Sequence, residues 1–212
     1  MREIEKIIAQ KLLQINAIKL SPQNPYTWAS GIKSPIYCDN RVTLSYPSIR
    51  TNIKKSFAEL SKNFDAFDHI SGVATAGIAH GALLADYLEM PFSYVRSSAK
   101  KHGRQNKIEG EIAANSKILV IEDLISTGGS SIAAVEDLRD NGHEVVGVLA
   151  IFSYEFEKAV NNFRDSNCKF ATLSNYSTML EEALNENYIT EEQSKVLGDW
   201  NSNPEGWYDK NF

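Results

Sequence analysis

From residue 69 to about residue 175 the chain switches repeatedly between short aliphatic runs and helical patterns, and this rhythm restricts the fold more than any other feature. "HISGVAT" (69–75), "PFSYVR" (91–96), "KILVIED" (117–123), "EVVGVLAIF" (144–152) and "CKFATL" (168–173) read as strands. "IAHGALLADYLE" (78–89), "SSIAAVEDLRDNG" (130–142) and a segment near 155–165 read as helices, with two more around 176–186 and 190–200. Ile118, Leu119, Val120 and Ile121 are consecutive, so that strand is apolar on both faces. Strands covered on both faces and separated by helices imply a parallel sheet with right-handed crossovers.

Ahead of this rhythm, Ile4, Ile7, Ile8, Leu12, Ile15 and Ile18 recur at helical spacing, which predicts an amphipathic helix over 3–18. "SPQNPYTWASGIKSPIYCDNR" (21–41) is rich in turn formers and predicts short extended pieces. Ser45 with Pro47 just inside predicts a second helix running to about Ser61. The expectation is one α/β domain over 1–212, a central mostly parallel sheet flanked by helices, with a small N-terminal appendage from about 20–45.

Composition narrows the function classes. A net charge of −5 over 212 residues does not advertise a nucleic-acid partner. The charged, periodic start and the lack of a long apolar run give no sign of a leader or membrane span. Two distant cysteines, Cys38 and Cys168, fit free thiols in a reducing cytoplasm, with small buried residues the favoured reading of both.

The chemistry concentrates in "ILVIEDLISTGGSS" (118–131). A buried strand runs into Glu122 and Asp123, then Leu124, Ile125, Ser126, Thr127, Gly128, Gly129 and Ser130 lead into a helix. Ligands of open parallel sheets sit beyond the carboxyl ends of the strands. The free N–H groups and positive dipole end of the following helix favour a phosphate there, which close-approaching glycines and hydroxyl donors assist. The two acids suit sugar hydroxyls or a hydrated divalent metal. A Ser/Thr/Gly-rich turn alone is more often a plain helix cap, but this full order is far more specific. No Gly-Lys-Ser/Thr follows, so it is not a P-loop.

Two further segments point the same way. "GVATAGIAHG" (72–81) is a turn of small residues that either packs helix closely on sheet or offers N–H groups of Thr75, Ala76 and Gly77 to an anion. "RSSAKKHGRQNKIEG" (96–110) gathers Arg96, Lys100, Lys101, Arg104 and Lys107 before its first acid, with His102 among them. Such a run is usually a solvated loop, and it is also what a polyphosphate-binding loop requires.

The acid-pair stretch resembles the ribose-phosphate signature of the type I phosphoribosyltransferases. "TWASGIKSPIYCDNR" (27–41) and "YVRSSAKKHG" (94–103) narrow the resemblance to orotate phosphoribosyltransferases, and it extends from the first helix to "PEGW" near residue 207. The resemblance implies the type I fold and transfer of ribose 5-phosphate from phosphoribosyl pyrophosphate (PRPP) to orotate, with Mg²⁺ held mainly by PRPP and no dedicated metal ligands. It implies that Glu122 and Asp123 hold the ribose hydroxyls, that 126–130 wrap the 5′-phosphate, and that 75–77 cradle the diphosphate. It also implies a homodimer whose loop, about 97–109, acts in the partner's site, so that Arg96, Lys100, Lys101 and His102 meet PRPP in trans. Segment 20–41 becomes a hood over the base, with Ser126, Lys33 and Arg41 toward orotate. Arg96, Lys100, His102 and, by proximity, Asp123 are the expected catalytic residues, although anionic orotate has little need of a strong protein base.

Many enterobacterial-type members carry cations where this chain has Ala29, Ala76 and Tyr154, so its base and diphosphate contacts differ from theirs. Two alternatives remain at this level: a phosphoribosyltransferase for another base, and a PRPP-binding regulator, which would call for a DNA-binding surface absent from the sequence. A dinucleotide binder is excluded because no G-x-G-x-x-G follows the first strand.

Overall fold

The computed structural model describes residues 2–28, 30–97 and 107–211. Among these, the central sheet has six strands: β5 (His69–Val73), β6 (Phe92–Val95), β7 (Ile108–Glu109), β8 (Lys117–Ile125), β9 (Glu144–Ser153) and β10 (Phe170–Asn175). Their order is β10-β9-β8-β5-β6-β7, parallel except for β7, which pairs antiparallel with β6 at the edge. The aliphatic run of β8 is buried on both faces, as a strand in the middle of a covered sheet requires. Two glycines let the crossover helix α3 (Ala76–Leu88) lie tight on that sheet. A Cβ on Gly77 would stand 2.5 Å from the Ile121 carbonyl, and one on Gly72 would meet the Gly77 carbonyl at 2.9 Å.

The remaining crossovers are α4 (Gly129–Asp140) and α5 (Glu157–Asp165). The chain begins with α1 (Arg2–Gln14), which packs Ile8, Ala9, Leu12 and Leu13 inward, and is closed by α6 (Tyr176–Asn185), α7 (Glu191–Ser202) and α8 (Trp207–Asn211). Between α1 and α2 (Pro47–Leu60) lies the hood. It holds two antiparallel ladders, β1 (Ile18–Leu20) with β4 (Ile36–Cys38) and β2 (Tyr26–Thr27) with β3 (Lys33–Ser34), then a 3-10 helix at Asn40–Ser45. No described helix is long and apolar enough to cross a membrane.

Three local expectations are corrected. The first helix stops at Gln14, because Ile18 is taken by the β1–β4 ladder against Cys38. The second helix is capped by Tyr46, not Ser45, since Ser45 closes the preceding 3-10 turn. Strand β8 continues past the acid pair to Ile125, because β9 is long enough to pair Leu124 with Phe152 and Ile125 with Ser153.

Candidate active site

The acid pair sits where β8 outruns its neighbour. Pairing with β5 ends at Gly72 against Ile121, so from Glu122 onward only β9 flanks the strand. The two acid side chains lie together there and hydrogen-bond to each other. Glu122 is 4% exposed, and its carboxyl accepts hydrogen bonds from the Asp123 backbone N–H (3.0 Å) and the hydroxyls of Ser130 (3.2 Å) and Ser131 (3.3 Å). Burial, with the neighbouring Asp123 charge, pushes the Glu122 carboxyl well above the usual carboxylate range. Burial also raises Asp123. Two acids so placed hold a proton between them more readily than two full charges.

A cavity of about 330 Å³ opens over this pair. Its walls come from three distant segments: Cys38, Asp39 and Arg41 of the hood, Ala74, Thr75 and Ala76 at the start of α3, and Glu122, Asp123, Leu124 and Ser130. Asp39 and Arg41 form a bidentate pair, with Arg41 Nε and Nη2 at 2.7 and 2.9 Å from the two carboxylate oxygens. The guanidinium beside it holds the Asp39 carboxyl below its usual value. Helix α4 begins beside the cavity with Gly128 at φ 80° as its N-cap. A glycine has no side chain to cap with, so it leaves the first N–H groups of α4 available to an anion.

A second cavity, about 380 Å³, shares Cys38 and Leu124 with the first. Thr27, Trp28, Tyr37, Ser126 and Tyr154 complete it. Tyr154 stacks on Phe156 with ring centroids 5.3 Å apart, and Trp28 lies 5.2 Å from Tyr154 and 5.6 Å from Trp200. The result is an aromatic slot that also presents the aliphatic hydroxyls of Thr27 and Ser126, suited to a flat heterocycle.

The expected site residues divide accordingly. Thr75, Ala76, Glu122, Asp123, Leu124, Ser130 and Arg41 meet in the first cavity and Ser126 in the second. Thr127 lines a separate recess with Phe156, its carbonyl accepting from Asn162 Nδ2 at 2.9 Å. Gly129 is exposed, while Gly128 is buried beneath the Phe163 ring. Ile125 points into the core. Gly77 is held against Ile121, which is the close packing of helix on sheet, while Thr75 and Ala76 line the first cavity. Lys33 lies outside both linings, its Nζ donating to Thr27 Oγ1 at 2.8 Å. Arg96 lines a further recess with Lys107 and Asp137, and approaches Glu109 at 3.4 Å. Lys100, Lys101, His102 and Ala29 lie outside the described residues.

Sequence reasoning passes over Cys38, Tyr37, Trp28 and Asn40 as site residues. Cys38 reads as packing from the sequence, but its thiol borders both cavities and is pushed up by burial. Its place between the hood's "SPIY" and "DNR" is the signal that could have found it.

Residues 44–182 match the family model of the phosphoribosyl transferase domain. An orotate phosphoribosyltransferase of Listeria innocua is 53% identical over 205 residues, covering 96% of this chain and 98% of its own. The chain belongs to the orotate phosphoribosyltransferase family. Among solved structures, an orotate phosphoribosyltransferase from Aeropyrum pernix superposes with a TM-score of 0.75 at 25% identity, covering 86% of this chain and 99% of its own. The UMP synthase of Leishmania donovani superposes with a TM-score of 0.79 at 26% identity over 92% of this chain, which spans 42% of that longer protein. In this member of the orotate phosphoribosyltransferase family the type I fold brings the acid-pair strand, the small-residue turn and the hood to one cavity.

Proposed function

We infer that the protein transfers ribose 5-phosphate from PRPP to orotate, giving orotidine 5′-phosphate and diphosphate in pyrimidine synthesis. The observation that carries the reading is the pair of joined cavities, one lined by the acid pair and the Thr75-Ala76 turn, the other by aromatic rings. A phosphorylated sugar and a flat base placed in them would meet near Cys38 and Leu124, which both cavities share.

In this reading the free N–H groups at the start of α4 receive the 5′-phosphate, and Glu122 and Asp123 receive the ribose hydroxyls. The diphosphate lies along Thr75 and Ala76. Orotate enters between Trp28, Tyr37 and Tyr154, with Ser126 at its edge. Its carboxylate draws on Arg41, across the shared wall, and on Lys33, which is one hydrogen bond behind the rim residue Thr27. The bond from C1 of ribose to diphosphate breaks as the bond to the orotate ring nitrogen forms; the ring N–H proton passes to the departing diphosphate or to solvent, and the diphosphate leaves with the bonding pair. The acid pair faces the sugar as positive charge develops on it, and fixed charges aimed at developing charge are among the strongest means a site has of lowering a barrier.

Among the described residues no group of three or more His, Cys, Asp or Glu is placed to hold a metal. One buried and one half-buried acid, both with raised affinity for a proton, fit the edge of a hydrated cation better than its full coordination. Mg²⁺ brought in by PRPP would supply charge stabilisation of the leaving diphosphate. Arg96, Lys100, Lys101 and His102 complete the diphosphate site from the partner of a homodimer, and two free cysteines suit a cytoplasmic setting.

The test is the loss of orotate's near-ultraviolet absorbance on adding protein, Mg²⁺ and PRPP, with hypoxanthine, adenine and uracil in parallel. Consumption of orotate alone is the expected result. Turnover of another base, or of none, would overturn the reading.

A further inference from the structure

One buried amide connects the hood to the acid-pair strand. Asn40 opens the 3-10 turn and is fully buried, yet it lines neither main cavity. Its Nδ2 donates to the Asp123 carbonyl at 2.7 Å, across 83 residues of sequence. Its Oδ1 accepts from the Cys38 thiol at 3.5 Å, and its backbone carbonyl accepts from Thr43 Oγ1 at 2.6 Å. The bond to Asp123 falls just past the point where β5 stops pairing with β8. The strand there has lost one neighbour, and Asn40 supplies a donor from the hood in its place. Cys38, Asp39 and Arg41, which surround Asn40 in sequence, all face the first cavity. One side chain therefore joins the wall the hood contributes to the backbone atom that carries the Asp123 carboxyl.

We propose that Asn40 is a positioning residue for the transfer reaction: its amide N–H fixes the Asp123 backbone and keeps the acid pair in register with the hood. The inference rests on the acid pair receiving the ribose of PRPP. Asn40 touches no substrate in this arrangement and acts only through Asp123. Only a donor at Nδ2 does this work. Alanine removes the donor and leaves a buried carbonyl unpaired. Aspartate keeps the shape, but when ionised it can only accept. A protonated aspartic acid regains an O–H that can donate to the same carbonyl. The charged and titratable groups around the position are Asp39, Arg41, Cys38, Asp123 and Glu122, with His80 of α3 hydrogen-bonded to the Asn40 backbone and 3.4 Å from Thr43 Oγ1. Each is present in wild type and variant alike, so the ratio of the two at each pH reports the new carboxyl at residue 40 together with its coupling to these neighbours.

The experiment compares wild type, Asn40→Ala and Asn40→Asp in steady-state turnover with orotate and PRPP between pH 5.5 and 8.5, with thermal melts recorded alongside. For Asn40→Ala, kcat/KM for PRPP is expected to fall roughly 10- to 100-fold, the cost of one unpaired buried acceptor, while KM for orotate changes little. Asn40→Asp should be at least as impaired at pH 8.5 and should recover relative to wild type as the pH falls. If Asn40→Ala does not fold, the isosteric Asn40→Asp still decides by its pH profile. An alanine variant within twofold of wild type overturns the proposal. So does an aspartate deficit that is constant with pH, because a purely structural defect would not follow protonation of residue 40. Absence of orotate turnover in the wild type would instead strike the proposed function.

Discussion

At the scale of single residues, the consequential feature is a carboxyl buried where its charge is costly. Glu122 has a folded-state proton affinity raised by burial and by Asp123. Its contribution to stability is therefore complete below the ordinary glutamate pKa and is lost as pH rises through the raised, folded value. Glu122→Gln removes that loss while keeping an oxygen for the Asp123 N–H. At a pH above the raised folded value the variant should melt above wild type, and the gap should close toward pH 4.5. Its turnover should fall by at least about tenfold if the proposed ribose contact holds, because the amide cannot share a proton with Asp123 as the carboxyl does. Melts across pH, paired with the orotate assay, check both. The acid pair was legible in the sequence because two carboxylates after four aliphatic residues demand an explanation. Asn40 was not: an asparagine in a turn-rich stretch looks like every other turn asparagine until its partner 83 residues away is brought to it.

At the scale of elements, α3 is tied to two things at once. Its glycine face rests on β5 and β8, and its His80 meets the hood through Thr43 Oγ1 at 3.4 Å. Burial lowers the His80 pKa to about 4, so the folded protein binds that proton more weakly than the unfolded chain does. The stabilisation from neutral His80 is therefore full above pH 6.5 and disappears as pH falls through 4, up to about 3 kcal/mol in all. His80→Gln should flatten the decline of melting temperature between pH 7 and pH 4.5, and melts of the two proteins side by side measure it. The alternating rhythm of runs and helices made the sheet and its crossovers readable, since a strand apolar on both faces can only be covered on both. The ends of elements were less readable because partners set them. Strand β8 gains its last two residues from the length of β9, and α1 loses its last turn to the β1–β4 ladder. The 3-10 helix at Asn40–Ser45 is too short to show a period at all.

At the scale of the whole molecule, the first and last parts of the chain converge on the aromatic slot. Trp200 of α7 donates its indole N–H to the Lys33 carbonyl of the hood at 3.2 Å, and Trp207 is buried in the same core that begins with Ile8 of α1. The proposed dimer gives a test at this scale. Lys100→Ala and Asp123→Ala subunits, each nearly inactive alone, should recover roughly a quarter of wild-type turnover when mixed and allowed to exchange, because half the dimers would hold one whole site. No recovery after demonstrated exchange would mean that the loop serves its own subunit. The convergence also has an optical consequence. The chain has three tryptophans, of which Trp28 lines the slot, Trp200 lies 5.6 Å behind it, and Trp207 sits in the core. One of the three emitters thus lines the place where a near-ultraviolet-absorbing base would dock and a second packs against it, so the protein carries its own fluorescent probe of occupancy, readable without a label and without turnover.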